Sequence, residues 1–142
     1  MEPVKLNKLI GKTEYTEREK QMGCAVKDLY VFLFDRKHKN WRKAMDLLGP
    51  CYVQHNPMIP DGRQGLLDWA ALLRKKGIRF QFYQMAIDGD YVFVRFKLVR
   101  KHGKDPGRAG VDLFRFEKGK IVEHWDVIQE IPAVSLNGNS MF

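Results

Sequence analysis

The chain has 142 residues, 44% of them hydrophobic and 12% aromatic, which is enough for one compact domain and too few for two. That composition excludes a disordered chain, a collagen-like repeat and a coiled coil as the main architecture. Lys and Arg number 25 against 17 Asp and Glu, a formal charge of +8, so an anionic partner has to be weighed. No stretch offers about 18 consecutive apolar residues, and Met1 to Lys12 lacks the apolar run of a signal peptide. The expectation is a soluble, cytoplasmic protein without a membrane role. Cys24 and Cys51 read as reduced thiols, because their spacing matches no metal or redox motif.

Hydrophobic periodicity is helical in the first half of the chain and alternating in the second. Thr16 with Glu19 makes a capping box, and Met22, Val26, Leu29, Tyr30 and Leu33 recur along one face. This pattern predicts a first helix from Glu17 to Asp35. Asn40 as N-cap ahead of Trp41, Ala44, Met45, Leu47 and Leu48 predicts a shorter second helix, stopped by Gly49-Pro50. Cys51 to His55 reads as extended, and Pro57 and Pro60 keep the following residues out of helix. Gln64 to Lys76 reads as a third helix with Leu66, Leu67, Ala70 and Leu73 inward; Arg74, Lys75 and Lys76 suit its negative C-terminal end.

From Ile78 the pattern alternates. Ile78, Phe80 and Phe82 share one face while Met85 and Ile87 have the opposite parity, so a bulge is expected near Tyr83-Gln84. Asp88-Gly89-Asp90 turns the chain into a partner strand, Tyr91 to Arg100. His102 to Gly110 reads as an exposed loop, and Val111 to Phe116 and Ile121 to Glu130 as the last two strands. Pro132 ends the sheet, and the residues from Ala133 read as a frayed tail. Helices in the N-terminal half followed by antiparallel strands define an α+β domain, single over 1–142 with its core between Thr16 and Pro132. A strongly curved antiparallel sheet and three helices would then enclose a cone with apolar walls, a natural small-molecule pocket.

Four ionisable side chains stand out: His55 before Asn56-Pro57, Asp112 in Val111-Asp112-Leu113, and His124 and Asp126 around Trp125. On a strand, His124 and Asp126 point to one face, shared with Val122 and Ile128. An aspartate in apolar surroundings is pushed toward neutral pH by burial and back by a neighbouring imidazolium, which suits acid/base work. The hairpin at Lys118-Gly119 decides where Asp112 points. A two-residue turn pairs 117 with 120 and sets Asp112 beside Trp125, away from His124 and Asp126. A three-residue turn, Glu117-Lys118-Gly119, pairs 116 with 120 and sets Asp112 across from His124. The second is favoured, because the first needs a lysine at positive φ. It also groups Phe114 and Phe116 with Val122 and Ile128, leaving Arg115 with Glu123 on the other side.

The plain alternatives are a solvated ion pair at His124 and Asp126 and a turn-capping His55. Two histidines and an aspartate follow no metal-ligand spacing, and the glycine patterns of nucleotide sites and hydrolase elbows are missing. Neither a metal nor a cofactor is expected. Trp69, Phe80, Phe82 and Tyr83 read as core or pocket wall.

Two segments carry a family likeness. Tyr52-Val53-Gln54-His55-Asn56-Pro57, followed by Asp61-Gly62 and Gly65, and the run from Val111 to Val127 together resemble the SnoaL-like polyketide cyclase branch of the NTF2-like superfamily. The resemblance spans Thr16 to Pro132. It implies a cone-shaped α+β barrel, a homodimer formed through the sheet, and a cofactor-independent pocket in which an aspartate exchanges protons during aldol-type ring closure. Asp126 matches that aspartate. By the same resemblance, His124 and His55 polarise oxygens or orient a polyketide-like ligand and Asp112 tunes the pair or orients a histidine. Asn56, Tyr52, Trp69, Phe114 and Phe116 line the pocket. A carrier that holds a small apolar ligand without turning it over is the alternative from another class.

Basic residues cluster at Arg36 to Lys43, Arg74 to Arg79 and Arg95 to Arg108, at helix ends and in loops. No nucleic-acid signature or single-strand stacking platform accompanies them. Nucleic acid is therefore not the expected partner, and the charge is read as serving solubility or drawing anionic substrates.

Overall fold

The capping box at Thr16 forms. Its hydroxyl accepts from the Glu19 backbone N–H, and the Glu19 carboxylate accepts from the Thr16 N–H. It opens helix α1, Glu17–Phe34, in a computed structural model that describes residues 12–100 and 105–142. Asn40 caps α2, Trp41–Leu47, by accepting from the Lys43 N–H. Strand β1, Leu48–Gln54, follows at once, so Gly49-Pro50, expected to stop the helix, lies inside a strand. Proline is tolerated there because β1 is an edge strand. Asp61 then caps α3, Gly62–Lys75, and its carboxylate also accepts from the Gln54 N–H at 2.8 Å, tying the end of β1 to the helix start.

The remaining strands are β2, Ile78–Asp88; β3, Tyr91–Arg100; β4, Arg108–Glu117; and β5, Lys120–Glu130. β4 begins inside the stretch read as a loop, and His102 lies outside the described residues. The sheet order is β1-β5-β4-β3-β2, curved and unclosed, with β2 to β5 antiparallel. β1 joins β5 in parallel, so the sheet is mixed rather than antiparallel throughout. The α+β class holds, with the helices ahead of the antiparallel strands as predicted. No helix among the described residues is long and apolar enough to cross a membrane.

Two bulges shape the sheet. Phe82 pairs with Phe96 and Gln84 with Arg95, which leaves Tyr83 as the extra residue, as the parity change predicts. The second sits after the last hairpin and corrects the expected register. Glu117 pairs with Lys120 across a two-residue turn, with Lys118 at φ 48° and Gly119 at φ 76°. The turn read from the sequence was the three-residue one; the lysine instead accepts the left-handed conformation, and the strands gain a turn whose twist matches their own. Phe116 then pairs with Ile121 but Arg115 with Glu123, so Val122 is the bulge residue. The bulge reverses parity. Ile121 rather than Val122 joins the buried face, and Asp112 comes opposite Asp126 with Phe114 opposite His124. Asp112 thus reaches the expected face by a different route.

The core lies between that face and helices α1 and α3, with Val26, Leu29, Leu33, Val92, Val94, Phe96, Phe116 and Ile121 fully buried. An aromatic cluster occupies its upper part: Tyr30, Phe34 and Phe96 each lie 4.4 to 4.8 Å from Phe80 between ring centroids. Phe96 covers Gly110 so closely that a Cβ there would fall 2.3 Å from its ring. The C-terminal residues do not fray to their end. Phe142 packs on Tyr83 at 4.3 Å, and the Met141 carbonyl accepts from Arg95 Nη1 at 3.0 Å on the outer side of the sheet.

Candidate active site

Alternation along β4 and β5 places Asp112, His124 and Asp126 on the inner face, with their ligand-capable atoms within 4.8 Å of one another. His124 Nε2 lies 3.0 Å from Asp112 Oδ1, and both side chains are buried. The other ring nitrogen, Nδ1, lies 2.7 Å from Gln54 Oε1. That oxygen also accepts from the Asn56 backbone N–H at 2.9 Å, and Gln54 Nε2 donates to the Tyr52 hydroxyl at 3.0 Å. A backbone N–H only donates, so the Gln54 amide is oriented by it and His124 Nδ1 must carry a hydrogen. Nε2 and Asp112 then share one proton, either as a carboxylic acid donating to a neutral ring or as a carboxylate accepting from an imidazolium. Burial pushes the Asp112 carboxyl up to about 6, with His124 opposing the rise and the charge of Asp126 adding to it.

Asp126 is half-buried, and both its oxygens lie within hydrogen-bond reach of Asn56 Nδ2, at 2.8 and 2.7 Å. Asn56 is in turn held by the Met58 N–H, which donates to its Oδ1 at 2.8 Å. Asn56 therefore orients the Asp126 carboxylate.

His55 does not join this group. Its N–H donates to the His124 carbonyl at 2.9 Å and extends the β1–β5 ladder, so Gln54 and Asn56 face inward and His55 outward. There its ring stacks on Trp125 at 4.7 Å, and its Nε2 lies 2.8 Å from Glu123 Oε1. His55 and Arg115 both hold the Glu123 carboxyl below the usual carboxylate range.

The three inward groups form the polar patch of a cavity otherwise walled by Leu29, Tyr30, Leu33, Phe34, Leu66, Trp69, Phe80, Phe96 and Phe114. Trp69 and Phe114 are part of that wall. Tyr52 and Asn56 lie behind the patch as its hydrogen-bond support, and burial, with the charges of Asp126 and Asp61, pushes the Tyr52 hydroxyl far up. Phe116 is buried lower in the core, near Met22 and Ala25. The cavity volume is about 20 Å³, room for one water. Phe34 and Phe80 also line a wider groove of about 540 Å³.

Two participants escaped the sequence reading. Gln54 lies inside the Tyr52-to-Pro57 segment, and its alternation with Asn56 is the signal that both face one way. Tyr30 reads as a core residue, yet its hydroxyl is buried in the cavity wall without a hydrogen-bond partner among the described residues. Asp112, His124 and Asp126 are also the residues that could hold a cation, although both His124 nitrogens are engaged and an ion would have to displace Asp112 or Gln54 from one of them.

Comparison with known proteins places this geometry. Residues 29–124 match the family model of the SnoaL-like domain. No curated protein matches the chain. Among solved structures it is similar to a Bacillus cereus protein assigned as a polyketide cyclase, with 21% identity over 89% of this chain and 87% of that one and a TM-score of 0.73. It is also similar to an NTF2-like protein of unknown function from Mesorhizobium loti, with 25% identity over 82% and 97% of the two chains and a TM-score of 0.64. A third, from Kribbella flavida and assigned as a ketosteroid isomerase, has 17% identity over 82% and 84% and a TM-score of 0.66. At these identities the structures speak for the fold.

Proposed function

For a chain that belongs to the SnoaL-like domain family, we propose acid/base chemistry on a small carbonyl compound, with Asp126 exchanging a proton α to the carbonyl. Such a step needs a base at carbon, hydrogen-bond donors at the oxygen where charge develops, and little water. Asp126, held by Asn56, is the base. The Tyr30 hydroxyl, without a hydrogen-bond partner among the described residues, is the donor that the cavity offers to the oxygen, and the hydrogen-bonded Asp112–His124 pair fixes the polar wall beside it. Asp126 takes the proton from carbon, and the enolate oxygen accepts a hydrogen bond. Where a second carbonyl of the same molecule is in reach, the enolate carbon bonds to it and the new alkoxide takes the proton back from Asp126, which is ring closure of the aldol type. A ring-bearing substrate needs more than about 20 Å³, so this reading requires Phe34 and Phe80, which also line the wider groove, to turn aside and admit it.

The observation that carries this reading is the buried Asp112–His124 pair beside Asp126 on the wall of an aromatic cavity. Hydrogen exchange at the α-carbon of aromatic ketones such as tetralone, followed in heavy water by NMR, tests it. The wild-type protein is expected to accelerate exchange, and Asp126→Asn to abolish the acceleration while circular dichroism stays unchanged. Ketone binding seen by tryptophan fluorescence, without exchange and indifferent to Asp126→Asn and Tyr30→Phe, would establish the carrier instead.

Self-association through the sheet belongs to the same proposal. Its outer face exposes Val53, Phe93, Val111 and Val127, with Val111 and Val127 paired across β4 and β5. Light scattering is expected to give a dimer for the wild type and a monomer for Val127→Glu; a monomeric wild type refutes it.

A further inference from the structure

The groove of about 540 Å³ lies where α1 and α3 end and β2 begins. Its size is that of a small-molecule site, about 300–1,000 Å³. Arg36, Lys37, Arg74 and Arg79 line it beside Phe34 and Phe80, and among the described residues none of the four cations is in an ion pair. The one carboxylate in the lining, Asp35, is occupied by the backbone N–H groups of Lys37 and His38 and by His38 Nδ1. Arg74 is the telling residue. Its guanidinium lies over the Trp41 ring at 4.8 Å, and its Nη1 is buried with no hydrogen-bond acceptor among the described residues. A buried guanidinium N–H without an acceptor is costly, and an oxyanion that draws this half-buried side chain toward the groove relieves that cost with the planar, charge-assisted bonding that arginine provides.

We propose that this groove is an oxyanion-binding vestibule of the catalytic cavity. It takes a small molecule with an aromatic or polycyclic body that ends in a carboxylate or a phosphate. The acid group sits on Arg74, with Arg36, Lys37 and Arg79 around it, and the body runs along Phe34 and Phe80 toward Asp126. The inference rests on the reading of the cavity as a substrate site and adds the substrate's charge. The two ends are electrostatically opposite, cations at the mouth and Asp112 and Asp126 at the floor, so the substrate is oriented acid outward and carbonyl inward. A concave site with buried rings is a poor track for a polynucleotide, whose bases need exposed stacking faces.

Calorimetry with naphthoate, its neutral methyl ester and naphthyl phosphate tests this. At least one of the two anions is expected to bind about tenfold or more tightly than the ester, with the advantage shrinking as salt is raised. The tighter of the two identifies the head group. Arg74→Gln is expected to bring acid and ester to equal affinity, and Arg74→Lys to keep part of the difference because charge survives without the planar fork. Arg79→Gln, at an exposed position, is expected to reduce the preference without disturbing Trp41, which guards against a folding defect in the Arg74 variants. Asp126→Asn is expected to keep the preference in full, and a wild-type protein that shows the preference without α-hydrogen exchange refutes the reaction reading alone. An ester that binds as tightly as both anions, or an anion preference untouched by Arg74→Gln and Arg79→Gln, overturns the vestibule. A single-stranded oligonucleotide that outcompetes both anions also overturns it, in favour of a polyanion surface.

Discussion

Replacing Asp112 with asparagine should change how stability depends on pH. The carboxyl has its ordinary value of 3.8 in the unfolded chain and about 6 in the folded protein, where burial disfavours the charged form. Between those values the folded state holds a proton that the unfolded state has lost. Stability therefore falls as pH rises through this window and levels off above it. A rise of roughly two units corresponds to about 3 kcal/mol, and the side chain is fully buried, so solvent screening does not reduce it. Asparagine keeps the size and presents an amide N–H to His124 Nε2 without titrating. Urea unfolding of both proteins, followed by circular dichroism from pH about 4 to about 7.5, reads the difference. Glu19, Asp61 and Glu123, whose carboxyls are held low by hydrogen bonds, lose that stabilisation as pH falls in both proteins alike and cancel. The wild type is expected to lose up to about 3 kcal/mol relative to the variant across the window. A constant offset between the two curves would refute the reasoning. A wild type that gains on the variant as pH rises would mean that His124 holds Asp112 as a carboxylate.

Other substitutions probe the supports of the site. Gln54→Leu strands the Asn56 N–H and the His124 Nδ1 hydrogen, and urea unfolding is expected to show a loss of about 2–5 kcal/mol; a loss well below that range means the network is not closed in this way. Gly110→Ala puts a Cβ into the Phe96 ring, with an expected loss of about 1–3 kcal/mol in thermal unfolding and altered ketone binding, since Phe96 walls the cavity. An unchanged melting temperature refutes that contact. Lys118→Gly relieves a side chain held at φ 48° and is expected to raise stability by up to about 1 kcal/mol, less the extra freedom glycine gives the unfolded chain; a lowered melting temperature refutes it.

Much of this molecule is written locally. The Thr16–Glu19 box, the Asn40 cap and the inward leucines of α3 depend on residues three or four positions apart, so their helices could be read directly. The Tyr83 bulge was equally legible, because a break in alternation is visible along a single strand. The family motifs marked the segments that meet in the site, again without coordinates. Tertiary structure decided what depends on partners distant in sequence. The two turns open to Lys118-Gly119 differ by little energy locally, and the choice between them is made where Ile121 becomes buried and Val122 bulges out. His55 and Asn56 read as neighbours in one site, but pairing of β1 with β5 sends Gln54 and Asn56 to the site and His55 to the outer face. Whether Asp112 and His124 share a proton turns on the amide of Gln54, set by a backbone N–H two residues on. The burial of the Tyr30 hydroxyl and of the Arg74 nitrogen, both without a partner among the described residues, arises only once helices and sheet have packed. Sequence patterning therefore determined the elements and the residues with chemical potential. Long-range pairing and packing decided which of them face one another, because facing is a property of register and burial rather than of spacing along the chain.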